Sequence, residues 1–230
     1  MSKKAKVQIV SCGPGLSEIR KKYGHSSEWI SSMISSNSID IDIVEVYNGC
    51  FPTIEDNTSW IIMGSRYSAY DKIDWIQELE IVIKKGFDSG VRMLGICFGH
   101  QILCKALGGK VVDNPKGWEI GSSVVNLNLQ GLNSPLFESV PSSFSVYESH
   151  HDIVVDLPKN FKILASNSYG IQSVSLSEQI YGVQFHPEFS LDVMRAYYNA
   201  RVEDEEKSKF YIDSSNQGSL IVDNFIRSIV

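Results

Sequence analysis

A cysteine between two glycines is the feature of this sequence best suited to covalent chemistry. An apolar run, Val91–Ile96, ends directly before Cys97. Gly95 and Gly99 flank this cysteine at G-x-C-x-G spacing, and a helical pattern follows. This is the spacing of a nucleophile elbow, with cysteine in place of serine. The glycines allow close backbone approach at a strained turn, and the free N–H groups at the helix start favour the thiolate. The sequence therefore predicts that Cys97 is a nucleophile, the alternative being a buried cysteine that only packs.

A histidine and a glutamate after a later strand-like run supply the partners that such a cysteine needs. The run Gln179–Phe185 is rich in β-branched and aromatic residues, and His186 and Glu188 follow it. Residues two apart on an extended chain point the same way, and Pro187 disfavours a helical conformation at His186. A carboxylate beside an imidazole fixes its tautomer and raises its basicity. Taken alone, the pair also fits a surface hydrogen bond, but together with the elbow it predicts a triad of Cys97, His186 and Glu188.

The two stretches together resemble the signatures of class I glutamine amidotransferase domains, the glutaminases with a Cys-His-Glu triad. The resemblance extends from the first strand-like run to about residue 190. It implies that Cys97 attacks the side-chain amide of glutamine, forms a γ-glutamyl thioester and releases ammonia. It also implies that His186 acts as base and acid, that Glu188 orients it, and that the reaction needs no cofactor.

The same resemblance assigns the groups that stabilise the tetrahedral intermediate. The strand-like run that begins at Trp60 ends at Gly64 and Ser65, and this turn resembles the oxyanion loop of the family. A backbone N–H of the turn is expected to act with the N–H of Phe98, and removing one such donor typically lowers the rate about 10²–10³-fold. Without the resemblance, the turn reads as a plain connection from a strand to a loop.

Three further residues are assigned to substrate binding by the resemblance. Gln101 lies one helical turn after Cys97 on the same face, and the matching glutamine of the family contacts the substrate. Ser149 and His150 begin a stretch that resembles the Ser-His-Gly-Asp segment, whose backbone holds the α-amino and α-carboxyl groups of the substrate. His151 replaces the glycine, so the chain departs from the family pattern at this point.

His150 and His151 also have to be considered as metal ligands. No cysteine or carboxylate with metal-ligand spacing stands around them in the sequence, so we expect no metal. His25 and His100 show no partner pattern and are interpreted as ordinary polar residues.

Strand-like and helix-like runs alternate through the first half of the chain. The strand-like runs are Lys6–Cys12, Ile39–Tyr47, Trp60–Gly64 and Val91–Ile96, and the helix-like runs are Ser26–Ser36 and Ile73–Phe87. This rhythm predicts an α/β fold with a doubly wound, mostly parallel sheet and helices on both faces. Ligands of such sheets lie beyond the C-terminal ends of the strands, which is where Cys97, Gly64 and His186 are expected.

The second half of the chain reads as shorter strands with turn signals between them. These runs are Val124–Leu129, Ser143–Tyr147, Phe161–Asn167, Ile171–Leu176 and Gln179–Phe185. We expect them to add antiparallel strands to the sheet, in a flavodoxin-like fold similar to that of class I glutamine amidotransferases. A charge-rich stretch, Arg201–Lys209, predicts an exposed helix end or loop, and Gly218–Val230 predicts a closing amphipathic helix.

The composition narrows the class of protein. The chain has 230 residues, of which 43% are hydrophobic, and this fits a single domain over residues 1–230. A net charge of −6 and the lack of a basic stripe argue against nucleic acid as a partner. No run approaches the roughly 20 apolar residues of a membrane span, so no membrane association is expected. The four cysteines include no C-x-x-C pair and suit a reducing cytoplasm.

The sequence leaves several functions open. The chain ends where a glutaminase domain would end and contains no P-loop, so an ammonia acceptor is expected to be a separate synthetase subunit. A stand-alone hydrolase of γ-glutamyl peptides would use the same thioester chemistry, although Gln101 and Ser149 favour glutamine. A non-catalytic regulatory protein of this fold would have no need of the triad, which is complete here. An elbow-cysteine chaperone or peptidase would pair the cysteine with an upstream acid, and the late His-x-Glu pair argues against it.

Overall fold

The computed structural model describes residues 4–35, 38–203 and 209–230. These residues form one large sheet, one two-stranded sheet, and helices on both sides of the large sheet. The charge-rich stretch Arg201–Lys209 lies in part outside the described residues. In the described part of the chain, no helix has the length and apolar character needed to cross a membrane.

The large sheet is mixed, with a parallel half and an antiparallel half. The strands of the described chain are β1 (Ala5–Ser11), β2 (Ile39–Glu45), β3 (Thr58–Ile62), β4 (Arg92–Ile96), β5 (Lys110–Asp113), β6 (Glu119–Leu127), β7 (Ser143–His150), β8 (Asp152–Asp156), β9 (Lys162–Ser166), β10 (Ile171–Leu176) and β11 (Ile180–Val183). The order of the large sheet is β2-β1-β3-β4-β11-β10-β9-β6-β7, and β5 pairs with β8 in the small one. Strands from β2 to β11 pair in parallel, and those from β11 to β7 pair antiparallel. The predicted α/β fold with antiparallel additions is confirmed.

Strand β11 differs from the expectation that every strand of the second half is an antiparallel addition. It follows β10 in a hairpin, so it runs antiparallel to β10 and parallel to β4, with Val183 opposite Ile96. The C-terminal ends of β4 and β11 therefore lie at the same edge of the sheet. Cys97 follows β4 directly and His186 follows β11, so this strand direction brings the two residues together.

Helices cover both faces of the parallel half. They are α1 (Ser17–Tyr23), α2 (Ser26–Met33), α3 (Asp74–Asp88), α4 (Phe98–Ala106), α5 (Leu129–Leu132), α6 (Leu191–Arg201) and α7 (Gly218–Ile229), with short 3-10 turns at Val46–Asn48 and Pro135–Phe137. In β3, Trp60 and Ile62 pack into the core that contains α3 and α4, whereas Ile61 packs into the core that contains α2 and α7. A strand buried on both faces reads as a continuous apolar run, and β3 has this pattern.

The helices α1 and α6 were not predicted, and they pack against each other beside the edge that carries Cys97. Helix α6 begins after Ser190, whose Oγ accepts a hydrogen bond from the Val193 N–H at 3.2 Å. Ile19 of α1 and Met194 of α6 share a buried cluster with aromatic residues. This packing fixes the position of the last turn of α6, which borders the site described next.

Candidate active site

Cys97 stands in a strained turn between β4 and α4. Its backbone angles are φ 52° and ψ −104°, and non-glycine residues rarely occupy positive φ. A Cβ on Gly95 would lie 2.4 Å from the carbonyl oxygen of Gly99, and one on Gly99 would lie 1.9 Å from that of Ile62. Close backbone contacts therefore require both glycines, as the elbow pattern predicts.

The substitution Gly99→Ala tests this packing. In an open helix, alanine is more favourable than glycine by roughly 0.5–1 kcal/mol, but here its methyl group would overlap the carbonyl of Ile62. We expect the free energy of unfolding to fall by roughly 1–3 kcal/mol, the usual cost of overpacking. Urea denaturation measures the change, with Ser219→Ala at an exposed position of α7 as the control. A variant as stable as this control would contradict the elbow geometry.

His186 and Glu188 lie next to Cys97 at the edge of the sheet. His186 Nδ1 is 2.9 Å from Glu188 Oε1, and the His186 backbone N–H donates to the carbonyl of Tyr147 at 2.8 Å. The side chain of Cys97 lies close enough to the imidazole for its negative charge to raise the pKa of His186. A Cβ built on Gly64 would lie 3.0 Å from His186 Cε1 and 3.7 Å from Cys97 Cβ, so this glycine is in contact with both residues. The three side chains are arranged in the order that a Cys-His-Glu triad requires.

The charges around His186 favour its protonated form. Burial opposes the imidazolium, but the negative charges of Glu188 and Cys97 and the hydrogen bonds to both raise the pKa of His186 to about 10. Because Glu188 binds Nδ1, the other ring nitrogen is left for the cysteine. An imidazolium beside a thiolate is the charge pair from which cysteine-dependent acyl transfer begins.

An aromatic stack supports the imidazole of His186. Its ring stacks on Phe189 with centroids 4.1 Å apart at 14°, and Phe189 stacks on Tyr197 with centroids 4.9 Å apart at 19°. Trp29 meets Phe189 edge-on at 5.9 Å. These contacts fix the orientation of the histidine, and an aromatic face stabilises a neighbouring cation. Sequence reasoning missed the stack, for which the aromatic residue directly after His-Pro-Glu was a signal.

The groups assigned to the oxyanion lie on two sides of Cys97. Gly64 and Ser65 follow β3, and the Ser65 hydroxyl donates to the carbonyl of Cys12 at 2.6 Å, which ties this turn to the end of β1. Phe98 is the first residue of α4, so its N–H has no acceptor within the helix. The turn and the helix start thus border the cysteine, and their action as oxyanion donors stays a prediction.

A cleft opens beside the triad. Its walls come from the loop after β1, the turn after β3, the end of β7 and the helix α6. The lining residues include Gly15, Ser65, Arg66, Ser149, His186, Tyr197 and Arg201. Two arginines therefore face the space next to the proposed nucleophile, which suits a substrate with negative charge.

The three residues assigned to substrate binding do not all reach this cleft. Ser149 lines it. Gln101 is buried, and its amide nitrogen donates to the carbonyl of Asp152 at 2.9 Å and to Gln184 Oε1 at 3.1 Å. His150 is also buried, with Nδ1 3.0 Å from the same Asp152 carbonyl. Gln101 and His150 therefore support the chain beside the cleft, and their direct contact with a substrate stays a prediction.

Carboxylates gather around His150 and His151, contrary to the expectation from sequence spacing. The two groups are Glu119, Glu148 and His150, and Asp113, His151 and Asp152, each with its possible ligand atoms within 4.8 Å of one another. His150 Nε2 is 3.1 Å from Glu119 Oε2 and 3.3 Å from Glu148 Oε2. The pairing of β6 with β7 places Glu119 opposite His150, which spacing along the chain does not reveal. The absence of a metal stays a prediction.

Glu148 is fully buried, and this predicts a pH dependence of stability. Burial and the charge of Glu119 raise the pKa of Glu148 to about 7, although His150 and His186 act in the opposite direction. A glutamate in the unfolded chain titrates near pH 4.3, so the folded protein binds the proton more tightly. Protonation of Glu148 therefore adds to the free energy of unfolding at low pH, and this contribution is lost as the pH rises from about 4.3 to 7.

We therefore expect Glu148→Gln to be no more stable than the wild type at pH 5 and more stable by roughly 1–3 kcal/mol at pH 8. Urea denaturation at both pH values measures the difference in the free energy of unfolding. Glu18→Gln, at an exposed position of α1, is the control and should show no such change. If Glu148→Gln differs from the wild type by the same free energy of unfolding at both pH values, the pKa of Glu148 is not raised in the folded protein.

Comparison with known families identifies the family of this chain. The family model described as glutamine amidotransferase class-I matches residues 19–202, which is most of the chain. The chain belongs to the class-I glutamine amidotransferase family.

Individual relatives differ in how much of their length they share with this chain. The chain is 30% identical to gamma-glutamyl peptidase 4 of Arabidopsis thaliana over 200 residues, which are 84% of the chain and 80% of the relative. It is 41% identical to the glutamine-hydrolyzing GMP synthase of Caldicellulosiruptor saccharolyticus over 138 residues, which are 59% of the chain and 25% of the synthase. The fold is that of a glutamine amidotransferase from Thermotoga maritima, with a TM-score of 0.70, 22% identity, and coverage of 98% and 92%.

Proposed function

We propose that this protein hydrolyses γ-glutamyl amide bonds with Cys97 as the nucleophile. The observation that carries the proposal is the contact between Cys97, His186 and Glu188 at the elbow, with the Gly64 backbone against the first two. A nucleophile at a helix start, a base and a group that orients the base are the parts that acyl transfer requires.

The reaction sequence follows from these positions. The Cys97 thiolate adds to the γ-carbonyl carbon, and the carbonyl oxygen takes the negative charge and accepts hydrogen bonds from Phe98 and the Gly64–Ser65 turn. The C–N bond breaks as His186 gives its proton to the leaving nitrogen, and a γ-glutamyl thioester forms on Cys97. Water then adds to the thioester as His186 takes up a proton, and glutamate leaves with return of the thiolate.

We infer that the substrate is a γ-glutamyl peptide. The alignment with a gamma-glutamyl peptidase covers most of both chains, which supports this choice. The preference for glutamine that the sequence suggested depended in part on Gln101. The side-chain amide of Gln101 donates hydrogen bonds to the Asp152 carbonyl and to Gln184. This weakens the argument that Gln101 selects glutamine as the substrate.

Hydrolysis of glutamine with transfer of ammonia to an acceptor subunit is the second candidate. It is supported by the 41% identity to part of a glutamine-hydrolyzing GMP synthase. In this case the isolated chain would have low glutaminase activity, and the acceptor protein would raise it by ordering the Gly64–Ser65 turn.

Steady-state kinetics on γ-glutamyl-alanine and on glutamine, at one pH and without a partner, distinguish the two candidates. We expect kcat/KM to be larger for the dipeptide. A ratio strongly in favour of glutamine would replace the peptidase with the second candidate. Failure to cleave either compound, with the folded protein verified by circular dichroism, would reject both.

A further inference from the structure

Arg201, the last residue of α6, lies in the wall of the active-site cleft. Its guanidinium lies over the rings of Tyr197, at 5.2 Å, and Trp118, at 4.9 Å. Its Nη1 donates to the carbonyl of Ser149 at 3.4 Å. Two aromatic rings and one backbone acceptor thus fix the plane of this cation, while a guanidinium has five N–H donors in all.

The positive charge of Arg201 has no carboxylate partner in residues 4–35, 38–203 and 209–230. Burial lowers the pKa of Arg201, and the neighbouring Tyr197 and Cys97 oppose that shift, yet an arginine stays charged at neutral pH. Burial of a cation is unfavourable unless an anion compensates for it, and the described part of the chain supplies no carboxylate for this purpose. In the wall of a cleft, a ligand carboxylate is the group that would pair with it.

The position of His186 indicates which part of a substrate comes near Arg201. His186 gives a proton to the leaving nitrogen, so any group attached to this nitrogen extends along the His186 side of the cleft. On this side the rings of His186, Phe189 and Tyr197 are stacked in succession, and Arg201 lies over Tyr197. The row of rings that begins at His186 therefore ends at the guanidinium of Arg201.

We propose that Arg201 binds the carboxylate of the amino acid that leaves when a γ-glutamyl dipeptide is cleaved. This inference rests on the proposed function and names its substrate class, γ-glutamyl amino acids with a free carboxylate on the leaving residue. Arginine binds a carboxylate through two parallel N–H···O bonds, for which Trp118 and Tyr197 hold its plane. Ammonia, the leaving group of glutamine, has no carboxylate, so Arg201 makes no such contact in a glutaminase reaction.

The effect of Arg201 is confined to one part of the reaction. The leaving amino acid is present only until the C–N bond breaks, and the thioester on Cys97 is the same for every γ-glutamyl substrate. The value of kcat/KM reports binding and thioester formation, so it depends on Arg201 for a dipeptide. Hydrolysis of the thioester does not depend on it.

The test compares γ-glutamyl-alanine, γ-glutamyl-alaninamide and glutamine as substrates. For the wild type, kcat/KM should favour the carboxylate over the carboxamide by roughly 10- to 100-fold, as expected for a charge-assisted hydrogen bond. Arg201→Met should abolish this preference and lower kcat/KM for glutamine by a much smaller factor than kcat/KM for γ-glutamyl-alanine, and Arg201→Lys should restore part of the preference. Arg195→Met is the matched control, because Arg195 lies on the same helix but is exposed and pairs with Asp192 at 3.9 Å.

Three kinetic results would overturn the proposal. The first is a wild type that does not distinguish the carboxylate from the carboxamide. The second is a loss in Arg201→Met that is equal for all three substrates and accompanied by a shifted pH profile for alkylation of Cys97 by iodoacetamide. This result would show that Arg201 acts on the Cys97 thiolate. Equal losses without that shift would assign it to the α-carboxylate of the glutamyl group and overturn the proposal as well.

Binding to the Cys97→Ala variant, measured by calorimetry, separates this proposal from the proposed hydrolase. We expect tighter binding of γ-glutamyl-alanine than of its carboxamide, and loss of the difference in the Cys97→Ala, Arg201→Met double variant. If this pattern is found while the wild type hydrolyses neither compound, the hydrolase proposal fails and the Arg201 proposal stands. Equal binding of the two compounds overturns the Arg201 proposal whatever the wild type hydrolyses.

Discussion

Replacing Cys97 with alanine is expected to lower the turnover of every γ-glutamyl substrate by about 10⁴-fold or more. Without the thiolate no thioester forms, and His186 has no nucleophile to activate. The oxyanion donors and the cleft remain, so substrate binding should persist while the chemical step is lost. Release of glutamate from γ-glutamyl-alanine, measured with purified wild type and variant, gives the ratio of rates.

Cys104→Ala is the matched control for this change, because Cys104 lies in α4 only two turns after the elbow. Burial raises the pKa of Cys104 to about 12, so its thiol stays protonated and unreactive near neutral pH. We expect Cys104→Ala to retain the activity of the wild type within about twofold. Turnover that persists in Cys97→Ala and disappears in Cys104→Ala would contradict the assignment of the nucleophile.

His186→Ala is expected to have a second effect of similar size, a loss of about 10⁴-fold in kcat. This residue both transfers the proton and, with a pKa of about 10, provides the positive charge beside Cys97. Glu188→Gln should lower the rate less, roughly 10- to 100-fold, because Glu188 acts through His186, whose Nδ1 lies 2.9 Å from its carboxylate. Steady-state rates on γ-glutamyl-alanine, together with the rate of alkylation by iodoacetamide at pH 6, measure both roles.

Two other histidines provide the comparison for this prediction. His25 caps α2 and accepts from the Ser27 N–H at 3.2 Å, so His25→Asn keeps a capping side chain and should leave turnover unchanged. His100 is fully buried, and burial, with the charge of His150, lowers its pKa to about 3, so it is neutral. Activity that survives His186→Ala and is lost in His100→Ala would show that the proton is transferred by a different histidine.

The elbow could be predicted from sequence because its geometry depends on a few consecutive residues. Gly95 and Gly99 must be glycines to avoid contact with nearby backbone, and the cysteine between them is held in a positive-φ turn. The proximity of His186 and Glu188 follows from a spacing of two on an extended chain. These local rules placed the three residues of the proposed triad without knowledge of the whole sheet.

Features that depend on distant pairing could not be predicted in the same way. The direction of β11 depends on its hairpin with β10, and the buried group around His150 depends on β6 meeting β7. A pattern of apolar residues carries no information on either. Glu119 and His150 are 31 residues apart, so neither a short metal-binding motif nor a helix repeat predicts that they meet.

The helix α6 was missed because polar and tyrosine residues dilute its apolar face. Its local signals were Ser190 as a capping residue and Asp192 in the first turn. Missing this helix also meant missing Tyr197 and Arg201, which line the cleft. The two sequence motifs contain only the residues proposed to break the bond. They therefore could not predict the wall of the cleft that α6 provides.

The central claim, that Cys97 is the nucleophile for a γ-glutamyl carbonyl, is tested most directly by a glutamine-like electrophile followed by peptide mass spectrometry. Cys50 is exposed and serves as an internal control for general thiol reactivity, while Cys12 and Cys104 are buried. We predict modification of Cys97 alone, slowed by prior addition of γ-glutamyl-alanine. Modification of Cys50 or Cys104 with Cys97 left intact would contradict the claim.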